Sequence, residues 1–217
     1  MIDMCEFCER LGQHQAERPW YDFHVVHESG SFVTVAAMGA LVPGYVLIIP
    51  RVHVFSMASL DAELRAELRA YEREVHERIA SRWRSATLFE HGSCARPAAA
   101  TGACISHAHW HLLPGDFDLD GWGIGFRRAH TFDVIAERDR PHGYLSFRTT
   151  GGEWYFNTTH RPASQHFRRI IAAQLGRPAE WDYLAFPMLD QLRDTIVGLT
   201  GRDPAALYSV GHGEARP

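Results

Sequence analysis

Lysine is missing from this sequence: all 22 basic residues are arginine. That absence excludes a P-loop lysine, a Schiff-base lysine for pyridoxal phosphate and the lysine nucleophile of covalent ligases. No apolar run approaches membrane-spanning length, and the opening stretch MIDMCEFCER carries acids where a secretory signal carries basic and then apolar residues. A cytoplasmic chain is expected. Charge is balanced as well. A net charge of -4 and a pI of ≈ 6.4 give no global electrostatic reason to expect nucleic acid or an anionic membrane as partner. Cysteine is limited to Cys5, Cys8, Cys94 and Cys104. In a reducing compartment the C-x-x-C pair reads as a metal or redox site before it reads as a structural bridge.

What is present is a globular composition. With 217 residues, 46% hydrophobic and 22% charged, the chain suits one domain or at most two, with a sizeable core and no wholesale disorder. Histidine is abundant, at 14 copies. Without lysine, covalent catalysis falls to His, Cys, Ser, Thr, Tyr or a carboxylate.

Residues 45–49 (YVLII) form an apolar run ended by Pro50, a buried strand by length and branching. Ser59 is placed to cap a helix reaching about Trp83, with Leu64, Leu68, Tyr71, Val75 and Ile79 on one face. A strand is expected around Thr87, Leu88 and Phe89, a loop over 91–101, and a further strand over 103–113. The Gly/Asp-rich passage 115–125 is the natural boundary, dividing the chain into 1–114 and an extension, 115–217, packed on it. The extension carries a hairpin signal, YLSFR at 144–148 and WYF at 154–156 around Gly151-Gly152. Ser164 then opens a helix with Phe167, Ile170, Ile171 and Leu175 inward and Gly176 after its end, and another helix is expected over 188–199.

The segment S-H-A-H-W-H-L-L-P (106–114) is the strongest signal. Side chains alternate across a strand, so His107, His109 and His111 share one face, successive members about 7 Å apart. Three imidazoles on one face suit a phosphate, because each can donate a hydrogen bond and one can attack as a nucleophile. Three residues in line cannot readily converge on one tetrahedral ion.

H-x-H-x-H followed by two apolar residues resembles the signature of the histidine triad superfamily of nucleotide hydrolases and transferases. The upstream V-P-G-Y-V-L-I-I-P-R-V-H (42–53) is similar to that family's P-G-H-x-L-x-x-P-x-x-H strand, with Tyr45 where histidine is usual. The resemblance covers roughly 1–114. It implies an α+β fold: an antiparallel sheet with a long helix packed on it, here followed by a hairpin-and-helices extension. It also implies that His109 is the nucleophile, forming a nucleotidyl- or phosphoryl-histidine, and that His111 donates to a phosphate oxygen or assists the leaving group. Cys104 falls where the family often places a Ser or Thr that contacts the leaving-group oxygen. Some family members hold zinc with a Cys pair and two histidines; by position these are Cys5, Cys8, His53 and His107, with Cys94 or His91 as a substitute for one ligand. Such a site would tie the N-terminal segment to the sheet in a structural role.

Several positions depart from the family pattern. Glu90-His91-Gly92 stands where an Asn-containing N-x-G segment is usual, which marks Glu90 and Gly92 as candidate substrate contacts. Ala37 replaces the acid or amide that commonly binds ribose hydroxyls, and Ala103 replaces a usual glutamine. In the extension, Gln165, Arg168 and Arg169 are candidates to reach a phosphate or second substrate, against an equal expectation of a solvated helix face. For Arg127, Arg128, His160 and Arg161 the solvated reading is favoured. Asp116, Asp118 and Asp120 read as turn formers, with no glutamate to close a calcium loop.

The function expected is a nucleotide-phosphate hydrolase working through His109. Two alternatives stand beside it: a nucleotidyltransferase or phosphorylase whose extension binds the acceptor, and a non-catalytic nucleotide- or partner-binding module. The partner is a small nucleotide or phosphorylated substrate, with no nucleic acid and no membrane. Small triad proteins dimerise through the first half, so the chain is expected as a homodimer, or as a monomer if the extension covers that surface.

Overall fold

A computed structural model describes residues 5–93, 105–140, 142–159, 163–204 and 206. Eight strands are named: Val25–Glu28 (β1), Phe32–Ala36 (β2), Val46–Pro50 (β3), Ala86–Gly92 (β4), Trp110–Pro114 (β5), Arg127–Ala129 (β6), Tyr144–Arg148 (β7) and Trp154–Asn157 (β8). They form one sheet in the order β1-β2-β3-β5-β4-β7-β8-β6, and every pairing between named strands is antiparallel. The helices are Glu6–Leu11 (α1), Ala62–Arg82 (α2), Phe132–Ala136 (α3), His166–Gln174 (α4) and Leu189–Thr200 (α5). The α+β architecture with a long packed helix is as the family resemblance implies. No helix among the described residues is long and apolar enough to cross a membrane.

Helix α2 forms where its apolar residues recur at helical spacing, and Leu68, Tyr71, Val75 and Ile79 are buried against the sheet. Each such burial contributes about 1.5–3 kcal/mol relative to exposure. The cap is Asp61 and not Ser59. The Asp61 carboxylate accepts from the Leu64 N–H at 2.8 Å, while the Ser59 hydroxyl pairs with that of Ser56 at 2.9 Å. Glu72, on the same helix, is buried and receives two hydrogen bonds from Arg148 of β7, at 2.9 and 2.6 Å. This ion pair ties the helix to the extension.

Alternation along the central strands divides the core. Val46, Ile48, Leu88, Trp110 and Leu112 belong to one cluster, beneath α2 and the buried side of α5 (Leu192, Ile196). Tyr45, Phe89 and Leu113 belong to another, beneath Phe167, Ile170 and Ile171 of α4. A third cluster joins Phe7 of α1 to Phe23, Val33, Val35 and Ile49. The sheet therefore lies between α2 with α5 on one side and α1 with α4 on the other.

The strand expected over 103–113 begins, among the described residues, only at Trp110. Ahead of it the backbone leaves the ladder with β3 and follows the loop that β3 runs into, where the Ala108 N–H donates to the Val54 carbonyl at 2.8 Å. Residues 103 and 104 lie outside the described residues. The sheet also runs on past residue 114. β7 pairs with β4 from Leu88↔Arg148 to Gly92↔Tyr144, so β4 is an interior strand and the extension shares the sheet of the first half.

Candidate active site and metal centre

His111 is placed by the sheet. On β5 it lies opposite Leu47 of β3 and Phe89 of β4, and its ring stacks on Phe89 with centroids 4.5 Å apart and planes 8° from parallel. His109 stands just before the strand, its ring centroid 4.7 Å from that of His111. This is closer than the regular strand spacing expected for the pair. Both line a pocket on the α1/α4 side of the sheet, where the cluster around Phe7 and Phe23 meets the cluster around Tyr45, Phe89 and Phe167.

His109 Nδ1 lies 2.8 Å from the carbonyl oxygen of His107. A carbonyl can only accept, so Nδ1 carries the proton and Nε2 keeps a lone pair. Burial lowers the His109 pKa to about 4, against the raising effect of that hydrogen bond, so the ring is neutral at pH 7. Burial also holds His111 well below 6.5, with His109 and Arg168 adding to the effect. The His111 Nδ1 atom is 2.8 Å from the Tyr45 hydroxyl. Tyr45 thus sits directly against the His111 ring.

His107 points elsewhere. Its Nε2–H donates to the Pro50 carbonyl at 2.8 Å, which leaves Nδ1 bare and aimed at two thiols, Cys5 Sγ and Cys8 Sγ, each 3.5 Å away. Cys8 Sγ is 3.2 Å from His53 Nδ1, and one ligand atom from each of the four residues lies within 4.8 Å of the others. The edges of a tetrahedron built on Zn–N and Zn–S bonds are ~3.3–3.8 Å, so the spacing suits a four-coordinate ion. The carbonyl bond to Nε2 is the outer support expected of a histidine ligand. The group could hold a metal ion. α1 and its N-cap supply the cysteines, the loop after β3 supplies His53, and Phe7 between the cysteines packs against both His107 and His109, with centroids 5.8 and 5.4 Å away.

Five other expected residues divide by strand alternation and helix face. Gln165 and Arg168 line the pocket; Arg169 does not, and its guanidinium instead lies 3.3 Å from the centroid of the Trp181 ring. Glu90 and Gly92 fall on the opposite side of the sheet. Glu90 is fully buried there, accepting from the Met57 N–H at 2.8 Å, from Trp110 Nε1–H at 3.1 Å and from the Tyr144 hydroxyl. Gly92 makes room for the Tyr144 ring: a Cβ there would lie 2.4 Å from a ring carbon. The physical reason is the two-residue period of β4, which sends Phe89 and His91 to the pocket and Leu88, Glu90 and Gly92 the other way. His91, Phe7, Tyr45 and Tyr183 are pocket residues that were not expected as such. Extending the alternation of β4 by two positions would have found His91. Nothing in the local pattern marks Phe7 or Tyr183. Ala37 lines the pocket, so no carboxylate or amide stands at that position. Cys104, Cys94, Ala103, His160 and Arg161 lie outside the described residues.

Residues 20–118 match the family profile described as "HIT domain". Among solved structures, a protein titled "Hit Like Protein" shares 22% identity, with 52% of this chain and 100% of that chain covered and a TM-score of 0.41. A hypothetical histidine triad nucleotide-binding protein from Sulfolobus tokodaii shares 23%, covering 51% and 68%, with a TM-score of 0.41. A HIT family hydrolase from Legionella pneumophila shares 23%, covering 52% and 93%, with a TM-score of 0.40. A search of curated proteins gives no match.

Proposed function

We propose that the chain is a nucleotide-phosphate hydrolase that works through a covalent intermediate on His109. One observation carries this reading: His109 commits Nδ1–H to a backbone carbonyl, which leaves an uncharged Nε2 lone pair beside a second imidazole in a pocket. Nε2 attacks phosphorus in line. The N–P bond forms as the bond to the leaving group breaks, and the leaving group departs as an anion with its electron pair, hydrogen-bonded by the Nε2–H of His111. Water then attacks the phosphorus, the N–P bond returns its electrons to His109, and the water proton is lost to solvent. Gln165 and Arg168 bind the substrate from the extension side. Cys104 is proposed to contact the leaving-group oxygen.

Zinc is the proposed occupant of the Cys5, Cys8, His53 and His107 group, in a structural role that matches a cytoplasmic chain with reduced thiols. Bound there, it would tie α1 to the loop after β3 and hold His107, whose carbonyl orients the nucleophile. The first half, 1–114, is the proposed catalytic domain.

A nucleotidyltransferase or phosphorylase is favoured by one feature, the lining of the pocket by Gln165, Phe167, Arg168 and Tyr183 of the extension, where an acceptor would bind. Incubation with dinucleoside polyphosphates, nucleoside phosphoramidates and nucleotide aryl esters, followed by product analysis with and without phosphate or alcohol acceptors, separates the two. Free nucleotide regardless of acceptor supports the hydrolase, and acceptor-dependent product supports the transferase. Equal behaviour of unaltered protein and His109→Ala across the whole set would leave a non-catalytic binding module.

A further inference from the structure

The proposed reaction needs opposite tautomers on two neighbouring rings: a bare nitrogen on His109 and an N–H donor on His111. A carbonyl settles the first. The partner of His111 is the Tyr45 hydroxyl, an atom able to donate or accept, so the position of one phenolic proton decides the second. Tyr45 is fully buried, and its hydroxyl is 2.8 Å from His111 Nδ1. The guanidinium of Arg168 also faces the phenol, its central carbon 5.7 Å from the ring centroid. A guanidinium is cationic and has only donors, so it attracts the lone pairs of the phenol oxygen and repels its proton. A buried O–H needs an acceptor of its own, and His111 Nδ1 supplies it. The phenol therefore donates to Nδ1, and the proton of the neutral His111 ring sits on Nε2, the nitrogen left for a ligand.

Arg168 arrives from α4, in the extension, and is held by neutral acceptors. Its Nε–H donates to Gln165 Oε1 at 3.2 Å and to the Trp181 carbonyl at 2.8 Å, and Nη2 donates to the Gly39 carbonyl at 2.8 Å. Gly39 permits this approach: φ is +69°, and a Cβ would stand 2.9 Å from Arg168 Nη2 and 2.5 Å from Tyr183 Cβ. Gln165, which precedes α4, is itself in the left-handed region at φ 56° and ψ 35°, a conformation that a residue with a side chain keeps only when its surroundings fix it.

We propose that Tyr45 and Arg168 are positioning residues that fix His111 as the Nε2–H donor, so that the extension sets the protonation pattern of the triad. The proposal deepens the reading of His109 and His111 as the reacting pair and rests on it, but its test is independent of turnover. In the full-length protein labelled with 15N-histidine, long-range 1H–15N correlation at neutral pH shows His111 protonated at Nε2 and bare at Nδ1, with His111→Asn assigning the signals. Arg168→Met frees the phenol to accept, and the Nδ1–H form of His111 grows. Tyr45→Phe removes the hydrogen-bond shift of the Nδ1 resonance, and it carries the test alone should Arg168→Met fail to fold. Protonation of His111 at Nδ1 in the unaltered protein overturns the proposal, as does a His111 spectrum that neither variant changes. With a nucleotide p-nitrophenyl ester as probe, Tyr45→Phe lowers kcat about tenfold and leaves KM within about twofold. Absence of turnover in the unaltered protein would remove the reaction and leave the tautomer result to stand or fall by itself.

Discussion

The two faces of β4 and β5 bury polar groups in opposite ways. On the pocket face, His109 and His111 each commit one ring nitrogen to a protein partner, and both rings line the cavity. On the face beneath α2, the Glu90 carboxyl is saturated by Met57, Trp110 and Tyr144, and none of these four residues lines the pocket. Neighbouring residues 89–92 and 110–111 serve both faces, so sequence proximity to the triad says little about chemistry. An open valence beside a cavity marks function, while a closed set of hydrogen bonds marks structure.

The comparison breaks most visibly at the nucleophile. His109→Ala should lower turnover of a competent nucleotide substrate by about four orders of magnitude with little loss of stability, read by steady-state kinetics and thermal melting. Equal rates would place the pocket face beside Glu90, as architecture alone. Removal of the proposed zinc comes next. Chelation, or Cys8→Ser, should lower the melting temperature by about 5–10 °C, with metal analysis showing loss of one ion per chain. Protein that contains no metal and melts unchanged would leave the four ligands as a reduced cluster.

Glu90 sharpens the other side. Burial raises its pKa from 4.5 to about 7, opposed by the hydrogen bonds from Tyr144, Met57 and Trp110 and by the charge of Arg140. An acid raised in the folded state contributes its full stability below about pH 4.5 and loses it as pH climbs through about 7. The loss is on the order of 3 kcal/mol. Denaturant unfolding at pH 5 and pH 8 should therefore show the stability of unaltered protein falling relative to Glu90→Gln by about that amount. A difference between the two proteins that does not change with pH would contradict this. Arg169→Ala gives the smallest effect. That side chain belongs to neither face, so its loss should cost no more than about 0.5 kcal/mol by the same assay. A loss of several kcal/mol would mean that its stacking on Trp181 supports α4.

Much of this molecule was legible in its residues. The apolar run of β3, the hairpin of β7 and β8, the inward face of α4 and the H-x-H-x-H segment all follow from local periodicity and turn chemistry. Cys5, Cys8, His53 and His107 were expected together through resemblance to a family, and no single-chain spacing links positions so far apart. What stayed hidden depends on partners that the hydrophobic pattern does not name. Ser59 and Asp61 are both good caps, and Ser56 decides between them by pairing with Ser59. Glu90 was expected to contact the substrate because it stands where the family has its N-x-G segment, whereas the pleat of β4 turns it toward Tyr144, a residue of the extension. Arg168 was expected as a substrate contact, and only the packing of α4 against β3 shows it also meeting Tyr45.

The covalent step on His109 is tested most directly by trapping. Full-length protein mixed with a labelled dinucleoside polyphosphate and quenched within one turnover should carry an acid-labile, base-stable adduct, and peptide mapping should place it on His109 and find none in His109→Ala. Product formation with no adduct on that ring, or with the adduct on another side chain, would contradict the account.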